Sequence, residues 1–387
     1  MKKLTLVAGA VLALVSTTSA LAQSSVTLYG IVDAAFVYTT KQSAVPAAPP
    51  VTNPVTPPTP RGASVGSTAA IDGGQLATSR WGMRGSEDLG GGLKANFQLE
   101  GTIANDIGAG GSGTASLFDR AATVGVSGGF GAVTLGRQNI LAVDAVGAVD
   151  PIGFSQPGIN PNVTYSSLNS TALFAPFGTN NGVSSLRQNN SIRYALPTMS
   201  GFSGAAMYGF GEVAGNRKAN SYFGLLGAFN AGPITASLGY NVLKNATATA
   251  ATTDQLTLIG GGLKYTISNA IAVKATYTQS KTDLAPERKI SVAGLGVDFV
   301  AMPGLTLTGA FYNTKRAASG TITEAKANQL VAKVNYALSK RTSVYTLLTN
   351  ERVGLITQPV SQRVGLITNA SDSKSANRMT IGVFHSF

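Results

Sequence analysis

Arg378-Met-Thr-Ile-Gly-Val-Phe-His-Ser-Phe387 closes the chain, and its two faces differ. Met379, Ile381, Val383, His385 and Phe387 fall on one side, and Arg378, Thr380, Gly382, Phe384 and Ser386 on the other. A period of two with one apolar face marks a half-buried strand. Here it runs to the last residue and ends on an aromatic ring, where soluble domains commonly carry frayed polar residues. The pattern fits the closing strand of a membrane β-barrel, which must pair with the first strand and anchor at the membrane interface.

The other end of the chain agrees. Lys2 and Lys3, the apolar run from Leu4 to Val15 and the small-residue site Ala20-Leu21-Ala22 predict a signal peptide over residues 1–22, with the barrel over 23–387. A transmembrane anchor would need a longer apolar run than this one. Charged residues make up only 12% of the chain against 44% hydrophobic, with 46 glycines, a mixture that suits short amphipathic strands and many turns. With no cysteine, a disulfide framework and Cys-based catalysis or metal binding are excluded. The formal charge is +12; without Lys2 and Lys3 it is +10. A basic excess suits anions or a membrane surface. Nucleic acid fits poorly, because the lysines and arginines are dispersed and the chain is exported.

Strands recur in pairs. Short connections lie at Leu89–Gly92, Gly128–Gly131, Ser200-Gly201, Ala231-Gly232-Pro233, Ser268-Asn269, Met302-Pro303-Gly304 and Ser339-Lys340. Between them run longer polar segments at 41–77, 106–117, 139–186, 213–218, 245–252, 282–286, 318–325 and 353–375. Seven turns and eight loops predict 16 antiparallel strands, with the turns on the periplasmic side. Several strands alternate visibly: Ile234, Ala236, Leu238 and Tyr240 oppose Thr235, Ser237, Gly239 and Asn241, for instance. Tyr194, Phe229, Tyr265, Phe299 and Tyr336 each precede a short turn by a few residues, and Phe387 holds the equivalent place, as an interfacial girdle requires. Segment 41–77 holds seven of the 16 prolines and reads as an extended surface loop. Arg352-Val-Gly-Leu-Ile-Thr357 recurs as Arg363-Val-Gly-Leu-Ile-Thr368, a short tandem duplication in the last loop.

Ser24-Ser-Val-Thr-Leu-Tyr-Gly-Ile-Val-Asp33 resembles the first strand of the general trimeric porins of β-proteobacteria. So do Ser79-Arg-Trp-Gly-Met-Arg-Gly-Ser-Glu-Asp-Leu-Gly-Gly-Gly-Leu-Lys94, Phe118-Asp-Arg-Ala-Ala-Thr-Val-Gly-Val126, Gly131-Ala-Val-Thr-Leu-Gly-Arg-Gln138 and Asn190-Ser-Ile-Arg-Tyr194. These blocks lie mainly in the first half, and the terminal Phe387 extends the match. The resemblance implies an all-β, 16-stranded barrel with its third loop, 139–186, folded into the lumen. It also implies a homotrimer in the Gram-negative outer membrane, contacting lipid and lipopolysaccharide and passing small hydrophilic solutes and ions. Phe387 then corresponds to the signal read by the barrel-insertion machinery. The family carries a Tyr-Asp pair after Gly-Arg-Gln, where this chain has Ile140-Leu-Ala-Val-Asp144.

The resemblance also places a basic cluster on one wall of the pore constriction, at Arg80, Arg120 and Arg193. Alternation supports it. Arg80 and Arg84 oppose Trp81 and Met83, and Arg193 lies between Ile192 and Tyr194. A lipid-facing arginine at mid-strand costs about 2–4 kcal/mol, so inward is the favoured side. The alternative is a rim arginine held by lipopolysaccharide. Arg137 shares parity with Val133 and Leu135 and reads as a rim or subunit contact. Opposing carboxylates would come from Asp144 and Asp150 in the third loop and Asp33 on the first strand, with turn capping the alternative for Asp150. Gly85, Ala121 and Gly125 are assigned outward as small residues at a subunit contact, while Leu238, Val273, Leu307 and Leu330 meet lipid.

Enzymatic chemistry finds no support. The one histidine, His385, lies on the apolar face of the last strand, so neither a serine triad nor an ordinary zinc site can be assembled. Gly108-Ala-Gly-Gly-Ser-Gly113 matches a dinucleotide fingerprint but opens no helix. No cofactor is expected. The reading is a water-filled, anion-preferring channel, with a substrate-selective channel or a structural, adhesive barrel as the alternatives.

Overall fold

The structure, a computed structural model, describes residues 25–43, 64–110, 116–166, 186–246, 253–283, 285–354 and 373–387. The expected signal segment, the prolines of 46–60, half of Gly108–Gly113, residues 167–185 of the third loop and most of the duplication lie outside them. The strands are β1 (Ser25–Ser43), β2 (Ser64–Gly73 and Arg80–Gly90), β3 (Leu93–Ala104), β4 (Ala121–Gly128), β5 (Gly131–Asn139), β6 (Arg187–Ala195), β7 (Phe202–Gly209) and β8 (Tyr222–Ala231). They continue with β9 (Ile234–Ala246), β10 (Thr253–Thr266), β11 (Ile271–Thr282), β12 (Lys289–Met302), β13 (Leu305–Arg316), β14 (Ala325–Ala337), β15 (Thr342–Val353) and β16 (Ser375–Ser386).

Every neighbour pairs antiparallel, and β1 meets β16 with Ile31 opposite Ser386 and Thr39 opposite Arg378, so the sheet closes as a 16-stranded barrel. Closure leaves no unpaired edge for lipid to face. The seam ends on Phe387, which exchanges both backbone hydrogen bonds with Gly30 at 3.0 and 3.1 Å. Its ring lies on Gly30, in the space a Cβ would need. At the turn between β2 and β3, Gly90, Gly91 and Gly92 all take positive φ, which glycine adopts without strain.

Segment 41–77 differs from its expected form. Ser64–Gly73 is a strand pairing with the upper half of β1, and Arg80–Gly90 pairs with the lower half. All seven prolines lie between 46 and 60, so the stretch from 64 carries every amide the ladder needs. Residues 74–79 interrupt the two arms.

Alternation sorts the wall as expected. Leu238, Leu263, Tyr277, Leu295, Leu330 and Ile381 are exposed and form the outer apolar band, in register from strand to strand. Tyr194, Tyr265, Phe299, Tyr336 and Phe387 are exposed at the turn end, and Phe229 packs on Phe202 with ring centroids 4.6 Å apart. Two outward assignments are corrected. Ala121 pairs with Glu100, and Gly125 with Asn96 and Thr134, which puts both on the inner side; Val124 and Val126 are the exposed residues of β4. Arg120 precedes the strand, so it reaches the same side as its neighbour Ala121 despite the change of parity. Gly85 is outward, with the Phe97 ring across it.

The segment after β5 crosses to the far wall. Helix α1 (Leu141–Gly147) buries Leu141, Ala142, Ala145 and Val146 against β8, β9 and β10. The wall satisfies its first-turn amides: Leu141 N donates to Tyr222 Oη at 3.0 Å and Ala142 N to Asn241 Oδ1 at 3.1 Å. Helix α2 (Pro161–Ser166) starts with proline in its first turn, where no amide is needed, and Asn160 Oδ1 accepts from Asn162 N and Val163 N. Leu256, Leu258, Ile290, Val292 and Leu347 point the same way as the polar inner residues, yet Ile140, Leu141, Ile152 and Ile159 cover them. Part of the inner face is therefore a dry hydrophobic core.

Candidate functional site

The inner side chains of β2, β3, β4 and β6 form one charged cluster. Arg80 starts the lower arm of β2, Glu100 is central in β3, and Arg120 stands at the foot of β4. Arg120 Nε lies 2.6 Å from Glu100 Oε1, Arg80 Nη1 lies 3.9 Å from the same oxygen, and Tyr29 Oη donates to Glu100 Oε2 at 2.9 Å. Two guanidiniums about 6 Å apart at an effective dielectric near 20 repel by roughly 3 kcal/mol. A shared carboxylate between them offsets that cost. Arg187, at the start of β6, is buried within electrostatic reach of Arg120, Asp119 and Glu100. Asp119 accepts from Thr102 N and Thr102 Oγ1, both at 2.8 Å, which fixes the approach to Arg120.

Facing this wall, Asp144 on α1 makes an ion pair with Arg193 Nη1 at 2.7 Å, with about a quarter of each side chain accessible. Four guanidiniums, from Arg80, Arg120, Arg187 and Arg193, stand with three carboxylates, from Glu100, Asp119 and Asp144. The balance is positive.

The structure brings Arg80, Arg120, Arg193 and Asp144 to one region and separates the other expected residues from it. Arg84 lies further towards the turn, 5.1 Å over the Tyr29 ring, in a recess with Thr27, Asn96 and Gln98. Asp33 is fully buried. Its Oδ2 accepts from Leu76 N at 2.6 Å and Ala77 N at 2.9 Å, and Tyr345 Oη donates to Oδ1. The break in β2 turns those amides inward, and Asp33 is the acceptor they require. Asp150 is also buried: it accepts from Ile152 N, Phe154 N, Asn160, Asn162 and Tyr312 Oη, so it ties the loop together and exposes no carboxylate to solute. Arg137 keeps its outward parity, donating to the Asp119 carbonyl at 2.7 Å and to Asn189 Oδ1.

Sequence reasoning missed Glu100, Arg187, Lys274, Lys333 and Asp298. Lys274 joins Asp298 at 2.8 Å and donates to the Pro151 carbonyl at 3.2 Å; Lys333 donates to the Ile152 carbonyl at 2.8 Å. Both lysines hold the loop to the wall. Glu100 was findable by the desolvation cost that turns the arginines inward, since Gln98, Glu100 and Thr102 oppose Phe97, Leu99 and Gly101.

A closed antiparallel barrel with an outer apolar band is an outer-membrane channel protein in class. The Gram-negative porin family model matches residues 8–353, and the chain belongs to that family. It is 33% identical to outer membrane porin protein 32 of Delftia acidovorans, covering 100% of both chains. The anion-selective porin from Comamonas acidovorans superposes with a TM-score of 0.75 at 26% identity, over 94% of this chain and all of that one. The trimer form of OmpT from Vibrio cholerae shares the fold, with a TM-score of 0.64 at 14% identity over 94% of this chain and 99% of its own. The chain is an outer-membrane porin, a channel and not an enzyme.

Proposed function

We propose that this porin is an anion-preferring diffusion pore, narrowest where Arg80, Arg120 and Arg193 face residues 140–166 across the lumen. The observation that carries the reading is that Arg80 and Arg120 converge on one carboxylate, Glu100, leaving an uncompensated cation on that wall. A lumen with low-dielectric walls focuses such a field and enriches counter-ions locally. The Arg193–Asp144 pair adds a transverse component that orients dipolar solutes. The similarity to the anion-selective Comamonas porin supports the same preference here.

Homotrimers are the functional unit in this reading, as in the trimer form of the Vibrio protein. Phe387, closing the seam, serves as the assembly signal, and residues 1–22 direct export. Reversal potentials of the purified trimer in a planar bilayer, under a salt gradient at low ionic strength, test the pore assignment. Arg120→Ser is expected to move the potential towards cation permeation, and Asp144→Asn to move it the other way. Unchanged selectivity in Arg120→Ser would remove Arg120 from the constriction, and absence of any conductance would favour a structural barrel.

A further inference from the structure

On β1, Ile31 pairs with Arg80 and Ala34 pairs with Gly73, so six residues of β2, 74–79, stand against the two residues Val32 and Asp33. The surplus cannot join the ladder, and its backbone groups need other partners. Asp33 gathers them from both ends of the segment. Its carbonyl accepts from Gly74 N at 2.9 Å and from Ser79 Oγ at 3.2 Å, and its amide donates to Ser79 Oγ at 2.9 Å. One carboxylate oxygen takes Leu76 N and Ala77 N, and the other takes Tyr345 Oη on β15. The Ser79 carbonyl then accepts from Ile103 N at 3.0 Å, which returns the chain to the sheet beside β3. Asp33, Gln75 and Ser79 are all buried.

The segment so fixed touches both sides of the lumen. Arg80 Nε donates to the Thr78 carbonyl at 3.0 Å, which leaves Nη1 directed at Glu100, 3.9 Å away. A long arginine side chain keeps several rotamers open, and a bond at Nε removes most of them. Arg80 also follows Ser79 directly, so a shift of the segment carries its backbone along. From the other side, Gln156 N of the third loop donates to the Gln75 carbonyl at 2.6 Å. Gln75 is steadied in turn, its Nε2 donating to Asp72 Oδ2 and its Oε1 accepting from Arg378 Nη2, both at 2.9 Å. Six residues therefore anchor the first arginine of one wall and the loop that forms the other.

We propose that Asp33 is a positioning residue for the constriction: by fixing residues 74–79 it sets where the Arg80 guanidinium and the third loop stand, and through Arg80 it sets the ion preference without facing the ions. It differs from a pore carboxylate because its oxygens are occupied by Leu76, Ala77 and Tyr345 and closed to the lumen. This role depends on Arg80 standing in the constriction, as the pore reading has it.

The test compares reversal potentials of purified trimers in planar bilayers, under a salt gradient at low ionic strength. In Asp33→Ala the segment loses its acceptor, and the anion-to-cation permeability ratio is expected to fall about twofold, the effect of withdrawing one charge from the ion path. In Asp33→Asn the side-chain oxygen still accepts from Leu76 N and Ala77 N, and its NH2 donates to Tyr345 Oη. The ratio should then stay at the wild-type value although a negative charge is gone. A pore carboxylate would act in the opposite way, with the ratio rising in both variants. In an Arg80→Gln background Asp33→Ala should add nothing, because residues that act through one another are not additive. If Asp33→Ala does not assemble, Ser79→Ala, which removes one hydroxyl from the same clasp, should give a smaller fall. A wild-type ratio in the assembled Asp33→Ala or Ser79→Ala trimer, a rise in Asp33→Asn, or an undiminished further fall in the Arg80→Gln background would each overturn the proposal and leave the pore reading in place. An unchanged ratio in Arg80→Gln alone would overturn both.

Discussion

On β2, β3 and β6, and just before β4, the inward side chains are Arg80, Glu100, Arg193 and Arg120, whereas on β10, β12 and β15 the matching positions carry Leu256, Leu258, Ile290, Val292 and Leu347. In the first group Arg80 and Arg193 keep access to the lumen, each about a quarter exposed, over the buried Glu100 and Arg120. The second group is sealed under residues 140–166. Both sets obey the same period of two, so alternation tells which side of the wall a residue takes and not what lies beyond that side. The third loop makes the difference. It leaves β5, docks α1 on β8 to β10, and reaches β15 and β16, where Gln156 bonds to Thr349 at 2.7 Å and Thr380 at 3.1 Å. Gln156 N also donates to the Gln75 carbonyl at 2.6 Å, which joins the loop to the break in β2.

Asp144 and Asp150 test that contrast most strongly, being six residues apart on one loop with opposite surroundings. Asp150→Ala strands five donors inside the barrel, and unsatisfied buried groups cost about 1–3 kcal/mol each. The expected loss is on the order of 3 kcal/mol or more after relaxation, with a larger, noisier conductance as the loop detaches. Asp144→Ala should cost less than about 1 kcal/mol, because its partner Arg193 can be solvated. Denaturation midpoints of the folded barrel and single-channel traces check both. Equal losses would show that the two halves are not distinct.

The dry half makes a second prediction. Leu258 is fully buried on β10, so Leu258→Ala should destabilise by about 3 kcal/mol through lost burial and a cavity. Thr123→Ala, inward on β4 beside the recess that holds Arg84, should change stability by less than about 0.5 kcal/mol. Urea unfolding of the two variants against wild type decides it. A small effect at Leu258 would mean that water, not the loop, covers β10.

Much of this was legible in the sequence, for identifiable reasons. Strand number, turn positions and outward faces follow from alternation and glycine placement, as at Gly90–Gly92 and on the strand ending at Phe387. Arg80 and Arg193 were placed inward by the cost of charge in lipid, and the structure agrees. Ala121 and Gly125 were misassigned because Arg120 precedes its strand, and alternation cannot be carried across a strand end. Asp33 was read as a pore carboxylate because nothing local shows that the amides of Leu76 and Ala77 converge on it; Asp150 was read as either a pore carboxylate or a turn cap, and the amides of Ile152 and Phe154, two and four residues on, bond to it as to a cap. Sequence distance hid the rest: 44 residues separate Asp33 from Ala77, and 162 separate Asp150 from Tyr312, whose hydroxyl also donates to it.

Glu100 sharpens the open half. It is shared by Arg80 and Arg120, so Glu100→Gln removes the one carboxylate between them while keeping the donor and acceptor shape. A charge about 8 Å from the ion path in a water-like dielectric is worth about 0.5 kcal/mol, or roughly twofold in the permeability ratio. Anion preference should rise by about that factor, opposite in sign to Arg120→Ser. A fall in anion preference, read from the reversal potential, would show that Glu100 acts by positioning the arginines and not by its charge.

Arg84 should give the smallest effect. It shares inward parity with Arg80 but is exposed, stacked over Tyr29 and removed from Glu100. Tyr29 in turn donates to Glu100 and accepts from Gln98 Nε2 at 2.8 Å, so the ring under Arg84 is fixed from behind. Arg84→Gln therefore removes a solvated charge and leaves the Arg80–Glu100–Arg120 arrangement intact. Screening decides the size: the Debye length is about 10 Å at 0.1 M salt and about 3 Å at 1 M. The permeability ratio should shift by less than about twofold in dilute salt and not measurably at 1 M, whereas the shift in Arg120→Ser should survive better because Arg120 is buried. Reversal potentials at both salt concentrations separate the two residues. If Arg84→Gln persisted at 1 M as strongly as Arg120→Ser, the constriction would extend down β2 to Arg84, and the boundary drawn at Tyr29 would be wrong.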